Sequence, residues 1–180
     1  MMRRGLVLLA LVAAIQLSGC ATPARVDQMT VTGQGIPTMS VPEGLRQNVA
    51  IKDVTGGQET NPMWISQVSS SEFERALESS LQGANLLQPN RQSGRFTIAA
   101  YLAKLEQPFI GIDMTVTATV TYTLVERATG KTSWEKTVTT PYTAKFSDAL
   151  LGVERLKLAN EGAVRSNISQ LIDELYRLRL

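Results

Sequence analysis

Histidine is absent from this 180-residue chain. The side chain best suited to proton transfer near neutral pH is therefore missing. His-ligated metal sites and His-dependent nucleophilic triads are excluded with it. Cysteine occurs once, at Cys20. Carboxylates remain at Asp53, Glu59, Glu106, Asp113, Glu126, Glu135 and Asp148. They fall in loops and at strand ends with no repeated spacing, as surface acids do, and predict no acid–base pair. Gly56-Gly57 lacks the Lys-Ser/Thr that a phosphate loop needs. Tandem hexapeptides, the mark of a β-helix acyltransferase, do not occur. The residue types thus predict a protein that is not an enzyme and holds no metal or soluble cofactor. Three aromatic positions are candidate partner contacts: Trp64 beside Pro62 and Met63, Phe109 beside Ile110, and Tyr142 (with Phe146) after the last strand. Each has a core alternative, with Trp64 capping the core at the first helix and Phe109 closing the sheet end.

The setting of Cys20 explains its presence. Arg3 and Arg4 precede an apolar run, Leu6 to Ile15, which leads into Leu17-Ser18-Gly19-Cys20. Ten apolar residues span only about 15 Å as a helix, too short for a hydrocarbon core of about 30 Å. The order of charge, apolar run and small residues is that of an export signal. Its end resembles a bacterial lipobox, the alternative being an ordinary secretory signal. The resemblance implies cleavage before Cys20, diacylglycerol on its sulfur and an acyl group on its amine. Ala21, where a retention signal would carry Asp, resembles outer-membrane sorting. Two or more chains anchor stably, at about 0.8 kcal/mol per buried CH₂. The membrane is then a partner through the anchor, on the periplasmic face of the outer membrane. With the thiol consumed, a catalytic cysteine is excluded and the domain has no disulfide to hold it.

Export also changes the charge. The chain carries 18 basic and 16 acidic residues; loss of Arg3 and Arg4 leaves the two signs equal. No basic stripe remains to neutralise phosphates, so nucleic acid is not an expected partner.

The elements follow from pattern. Residues 20–48 carry Pro23, Pro37, Pro42 and three glycines without a period, and predict a lipidated Cys with a flexible tether. As a coil that stretch spans roughly 30 Å. Residues 49–180 predict a single periplasmic domain. Val49–Val54 reads as a strand. Ser69-Ser-Ser-Glu72 and Ser71-Glu-Phe-Glu74 both fit a capping box, ahead of an amphipathic helix through Phe73, Ala76, Leu77, Ser80 and Leu81. Arg95–Leu105, apolar on both faces, predicts an interior strand. In "MTVTATVTYTLV" (114–125) threonine takes every second position, which predicts a strand with one core face and one hydroxyl face. Glu126–Lys131 predicts a hairpin turn, and Lys131–Thr140 a fourth strand that ends or lies at an edge at Pro141. From about Asp148 to Leu178 the apolar spacing predicts a helix. Gly162 is its weak point, and Arg155, Lys157, Arg165, Glu174 and Arg177 form its solvated face. Too few strands are present for a membrane barrel, which takes at least eight. The predicted fold is α+β, in the order β-α-β-β-β-α. Two helices pack on one face of a mostly antiparallel four-stranded sheet.

With lipobox, tether and element order together, the chain resembles small Gram-negative outer-membrane lipoproteins. The architecture over about 49–178 is similar to the lipopolysaccharide-assembly (LptE-like) lipoproteins, and the chain is equally similar to uncharacterised lipoproteins with Gly-Cys-Ala-x-Pro around the lipidated cysteine, here Gly19-Cys20-Ala21-Thr22-Pro23. The resemblance implies a non-catalytic, lipid-anchored role in envelope assembly or maintenance through a protein partner. The alternatives are an auxiliary lipoprotein binding lipid or envelope glycan for a transporter and, third, an enzyme built on a carboxylate pair.

Overall fold

The threonine alternation builds the strand it predicts. In β3 (Met114–Glu126) every even-numbered position from Met114 to Leu124 is buried, and the threonines between them are at least partly exposed. A computed structural model describes residues 21–61 and 65–179. In it β2 (Phe96–Glu106) and β4 (Thr132–Ala144) flank β3 antiparallel, and β1 (Val49–Thr55) pairs parallel to β2. The sheet order is β1-β2-β3-β4. A parallel neighbour needs a crossover, which the helix α2 (Ser70–Gly83) supplies. Ser69 caps that helix: its hydroxyl accepts from the Glu72 amide, and the Glu72 carboxylate accepts from the Ser69 amide. Of the two capping boxes in the sequence the first is used. Such a cap contributes about 0.5–2 kcal/mol.

The long helix α3 (Gly152–Arg177) starts four residues later than Asp148. The delay has a cause. The Asp148 carboxylate accepts from the Lys145 amide, and the Arg155 guanidinium holds the carbonyls of Ala149 and Leu150. Both contacts close the 145–151 loop on itself. α2 and α3 lie on one sheet face, where Phe73, Leu77, Ile98, Val120, Tyr122, Leu124, Ile168 and Leu171 form the core. Asn167 of α3 enters this core as a polar pin. Its amide nitrogen donates to the carbonyls of Ala118 and Val138, and its oxygen accepts from Tyr122 Oη at 2.9 Å. The great majority of buried polar groups in proteins are partnered in this way.

Three expectations are corrected. Residues 21–48 are no flexible tether where they are described: α1 (Val26–Met29) and the chain around it place Met29, Val31 and Leu45 fully in the core. Apolar positions without a period had concealed this. The charged side of α3 is likewise not all solvated, because the 145–151 loop packs on Arg155 and the amino-terminal segment on Lys157 and Arg165. Arg155 and Lys157 are buried, and Arg165 donates to the carbonyl of Gln28. Finally, Tyr142 does not follow the last strand. β4 runs through Pro141 to Ala144, opposite Thr117 at the proline, and as an edge strand it tolerates a residue with no N–H to give. A Cβ on Gly162 would lie 2.2–2.4 Å from three atoms of the Tyr142 ring. The glycine that weakens the helix pattern is the notch that lets this ring in.

Candidate functional site

The amino-terminal segment runs alongside α3 in the same direction. Thr22 Oγ1 accepts from Lys157 Nζ at 2.9 Å. Three residues on, Arg25 meets the buried carboxylate of Glu161 through its backbone amide (2.8 Å), Nε (3.0 Å) and Nη2 (2.9 Å). The hydrogen bond to Glu161 is the main cause that raises the Arg25 guanidinium above its usual range. Further along, Ser169 Oγ donates to the carbonyl of Gly35. Followed backwards, the chain therefore heads for the start of α3.

At that end a polar node ties four segments together. Ser66 Oγ donates to the Thr22 carbonyl, and the Ser66 carbonyl accepts from Asn160 Nδ2 (2.8 Å) and Gln107 Nε2 (2.9 Å). Gln107 Nε2 also donates to Asn160 Oδ1 at 2.9 Å. Ala21, the first described residue, is buried. The β2–β3 loop leaves the node at Gln107 and projects apolar side chains into solvent. Phe109 is 101% exposed, Ile110 91% and Ile112 77%. The β4–α3 loop adds Leu150 at 78% and Leu151 at 69%, with Phe146 half-exposed. The two loops are joined, since the Phe146 amide donates to Asp113 Oδ1 at 2.9 Å. Arg155 supports the second loop from below, stacking 5.0 Å from the Phe146 ring while it holds the two carbonyls. Leu151 is the N-cap of α3, where Ser, Thr, Asp or Asn would be favoured, and it makes no capping bond. Sequence reasoning named Phe109 and Ile110 but missed Ile112, Leu150 and Leu151. The Leu-Leu pair at a helix start, in place of a cap, was the available signal. The node itself joins residues 41 to 94 positions apart and leaves no local trace.

The other sequence-predicted positions lie elsewhere. Leu17, Ser18, Gly19, Cys20 and Trp64 fall outside the described residues. Phe109 does not close the sheet end, being fully exposed. Tyr142 lies over Gly162 with the Arg165 guanidinium 5.7 Å from its ring. The carboxylates do structural work in several places: Glu126 pairs with Arg95 and Glu106 with Lys104, while Asp113 and Asp148 accept from backbone amides. Thr129 and Arg95 hold the Glu126 carboxyl below its usual range, opposite to what a general acid needs. Among the described residues no three metal-ligating side chains cluster. Gly56 and Gly57 serve packing. A Cβ on Gly57 would meet the Ser70 amide nitrogen at 2.2 Å, and the Gly57 amide donates to Ser70 Oγ. No helix among the described residues is long and apolar enough to cross a membrane.

Two further surfaces are open. On the uncovered sheet face, threonines of β3 and β4 bond in pairs: Thr115 with Thr143, Thr119 with Thr139, and Thr121 with Thr137. A groove of about 830 Å³ lies between residues 27–35 and the second half of α3, lined by Asp27, Gln28, Arg165, Asp173, Glu174 and Arg177 among others. Its acids are not poised as a pair. The Gln28 side chain holds the Asp27 carboxyl below its usual range, and Glu174 is in an ion pair with Lys136.

No protein-family model matches the chain, and no curated protein matches it. Solved structures do. A Xanthomonas campestris protein of DUF330 superposes at TM-score 0.57 and 10% identity, over 87% of this chain and 95% of that one. A chain of the PelC dodecamer from Paraburkholderia phytofirmans superposes at TM-score 0.50 and 16% identity, over 83% and 96%. A lipoprotein from Neisseria meningitidis superposes less well, at TM-score 0.28 and 12% identity over 61% and 74%. At such identities what the chain shares with the first two is the fold, a four-stranded α+β sheet with helices on one face.

Proposed function

We propose that this chain is a lipid-anchored, non-catalytic lipoprotein of the outer membrane's periplasmic face. It serves envelope assembly or maintenance through contact with a protein partner. The observation that carries the reading is the hydroxyl face of β3 and β4, which no helix among the described residues covers, on a domain whose amino-terminal chain is bound along α3 from Thr22 to Gly35. With Cys20 acylated, the domain is held at the membrane with this face open to a neighbour. The LptE-like resemblance supports an assembly role, and the same fold forms a dodecamer in PelC, so a second copy is one candidate neighbour. A photoactivatable residue at Thr119 tests the reading. A single saturable membrane-protein adduct, absent when the residue is placed on α2, is the expected result. Cross-linking no stronger at Thr119 than on α2 rejects it. The polar 830 Å³ groove favours a second reading, an auxiliary lipoprotein that holds an envelope glycan for a transporter. Glycan co-purifying with the protein, and lost on Arg165→Ala, would select that one.

A further inference from the structure

We propose that the two apolar loops, 107–113 and 145–151, insert into the lipid interface next to the anchor, so that the domain stands on the membrane on a fixed footing. The inference rests on acylation of Cys20. Four observations converge on it. The loops carry five large apolar side chains more than two-thirds exposed: Phe109, Ile110, Ile112, Leu150 and Leu151. They are held in place from within the domain, by the Phe146–Asp113 bond and by Arg155. Leu151 occupies a helix cap for which its side chain is poorly suited and offers no packing in return. The described chain begins at the same place. Thr22 is bonded to Lys157 and Ser66, Ser66 to Gln107, and Phe109 follows two residues later.

The last point selects lipid as the occupant. Cys20 is two residues from Thr22, hence within about 8 Å of it at 3.8 Å per Cα step. A tether of 28 free residues would let the domain float far from its acyl chains. Burial of Ala21, Ala24, Met29 and Val31 removes that slack. Acyl chains in the bilayer then bring the two loop tips to its surface, where Phe, Ile and Leu side chains gain by entering the boundary of headgroups and acyl chains. Charged groups at the loop bases, Lys104, Glu106, Asp113 and Lys145, mark how deep the tips can go.

The single native cysteine makes the test direct. Ile110→Cys, Leu151→Cys and Lys131→Cys proteins, expressed with the full signal, are spin-labelled and reconstituted in phosphatidylethanolamine–phosphatidylglycerol vesicles. Lys131 lies in the β3–β4 turn at the opposite end of the sheet. Acylation blocks Cys20, so the new thiol alone takes the nitroxide. All three positions are exposed, and urea unfolding checks that each variant keeps the parent stability. The expected result is that labels at 110 and 151 lose collision with a water-soluble nickel chelate and gain it with oxygen, while the label at 131 does the reverse. Acylated, vesicle-bound protein with labels at 110 and 151 as open to nickel as that at 131 overturns the insertion and leaves the anchor standing. Shielding from nickel and oxygen alike, in a second copy cross-linked at 110, assigns the loops to protein contact and also overturns it. Label on Cys20 itself shows an unacylated thiol, and both the anchor and the insertion fall.

Discussion

Single residues hold the long helix on the sheet in two ways. At Gly162 the Tyr142 ring occupies the space a side chain would need. In a free helix Gly→Ala stabilises by up to about 1 kcal/mol; here Gly162→Ala forces the ring out and is expected to cost about 1–3 kcal/mol, as overpacking does. Adding Tyr142→Ala should recover much of the loss, a coupling that urea unfolding of the four-member cycle reads directly. At Tyr122 the buried hydroxyl bonds to Asn167. Tyr122→Phe leaves the Asn167 oxygen short of a donor and should cost about 1–3 kcal/mol. The same phenol governs alkaline behaviour, because burial pushes its pKa up. Burial also raises Tyr176. An unfolded tyrosine loses its proton near pH 10, whereas the folded state retains it. The stability these groups contribute is complete below about pH 10 and is lost as pH rises above it. Phenolate absorbance should therefore appear in two steps, with Tyr122 titrating only as the fold opens. Tyr122→Phe should flatten that alkaline loss.

The amino-terminal segment is the element that most changes the reading of the molecule. It is joined to α3 through Arg25–Glu161, Arg165–Gln28 and Ser169–Gly35, and to the core through Met29 and Val31. Glu161 is 1% exposed and Arg25 is its ion-pair partner. Arg25→Ala leaves a carboxylate buried with less than its complement of donors. A loss of about 1–3 kcal/mol is expected, below the value for a fully buried pair because Arg25 is itself 42% exposed. Hydrogen exchange should localise the effect, with amides of residues 25–31 opening faster while those of β2 and β3 keep their protection. Equal acceleration throughout would mean that the segment is part of the global unit and not a strap on it.

At the scale of the whole molecule the sheet has two unlike ends and two unlike faces. One face is filled by helices and the other presents threonines. One end carries a short hairpin turn, and the other carries the apolar loops and the route to Cys20. On the proposed reading, membrane association depends on a single sulfur, that of Cys20. Cys20→Ser is expected to move the protein from the membrane to the soluble fraction of a cell lysate, with its signal uncleaved or misprocessed. Continued sedimentation of a normally processed Cys20→Ser protein would sink the lipid-anchor reading. The loops alone, with five side chains and no acyl chain, should not hold it there.

Much of the fold could be read from the sequence because strand alternation, helix caps and turn residues are local signals. Period-two threonines located β3, Ser69 and Glu72 located the start of α2, and an apolar Arg95–Leu105 run placed β2 inside. The want of histidine removed whole classes of chemistry before any coordinate was needed. What the sequence left undecided depends on pairs far apart in the chain. Arg25 and Glu161 are 136 positions apart, and neither has a neighbour that announces the other. That bond and the apolar residues around it turned an expected tether into part of the core. Gly162 looked like a flaw in a helix until the ring of Tyr142 was found in its notch. The gathering of Phe109, Ile110, Leu150 and Leu151 near the path to Cys20 is likewise a product of topology. Antiparallel pairing brings the end of β2, the end of β4 and the start of α3 to one edge of the molecule, and only packing in three dimensions decides what meets there.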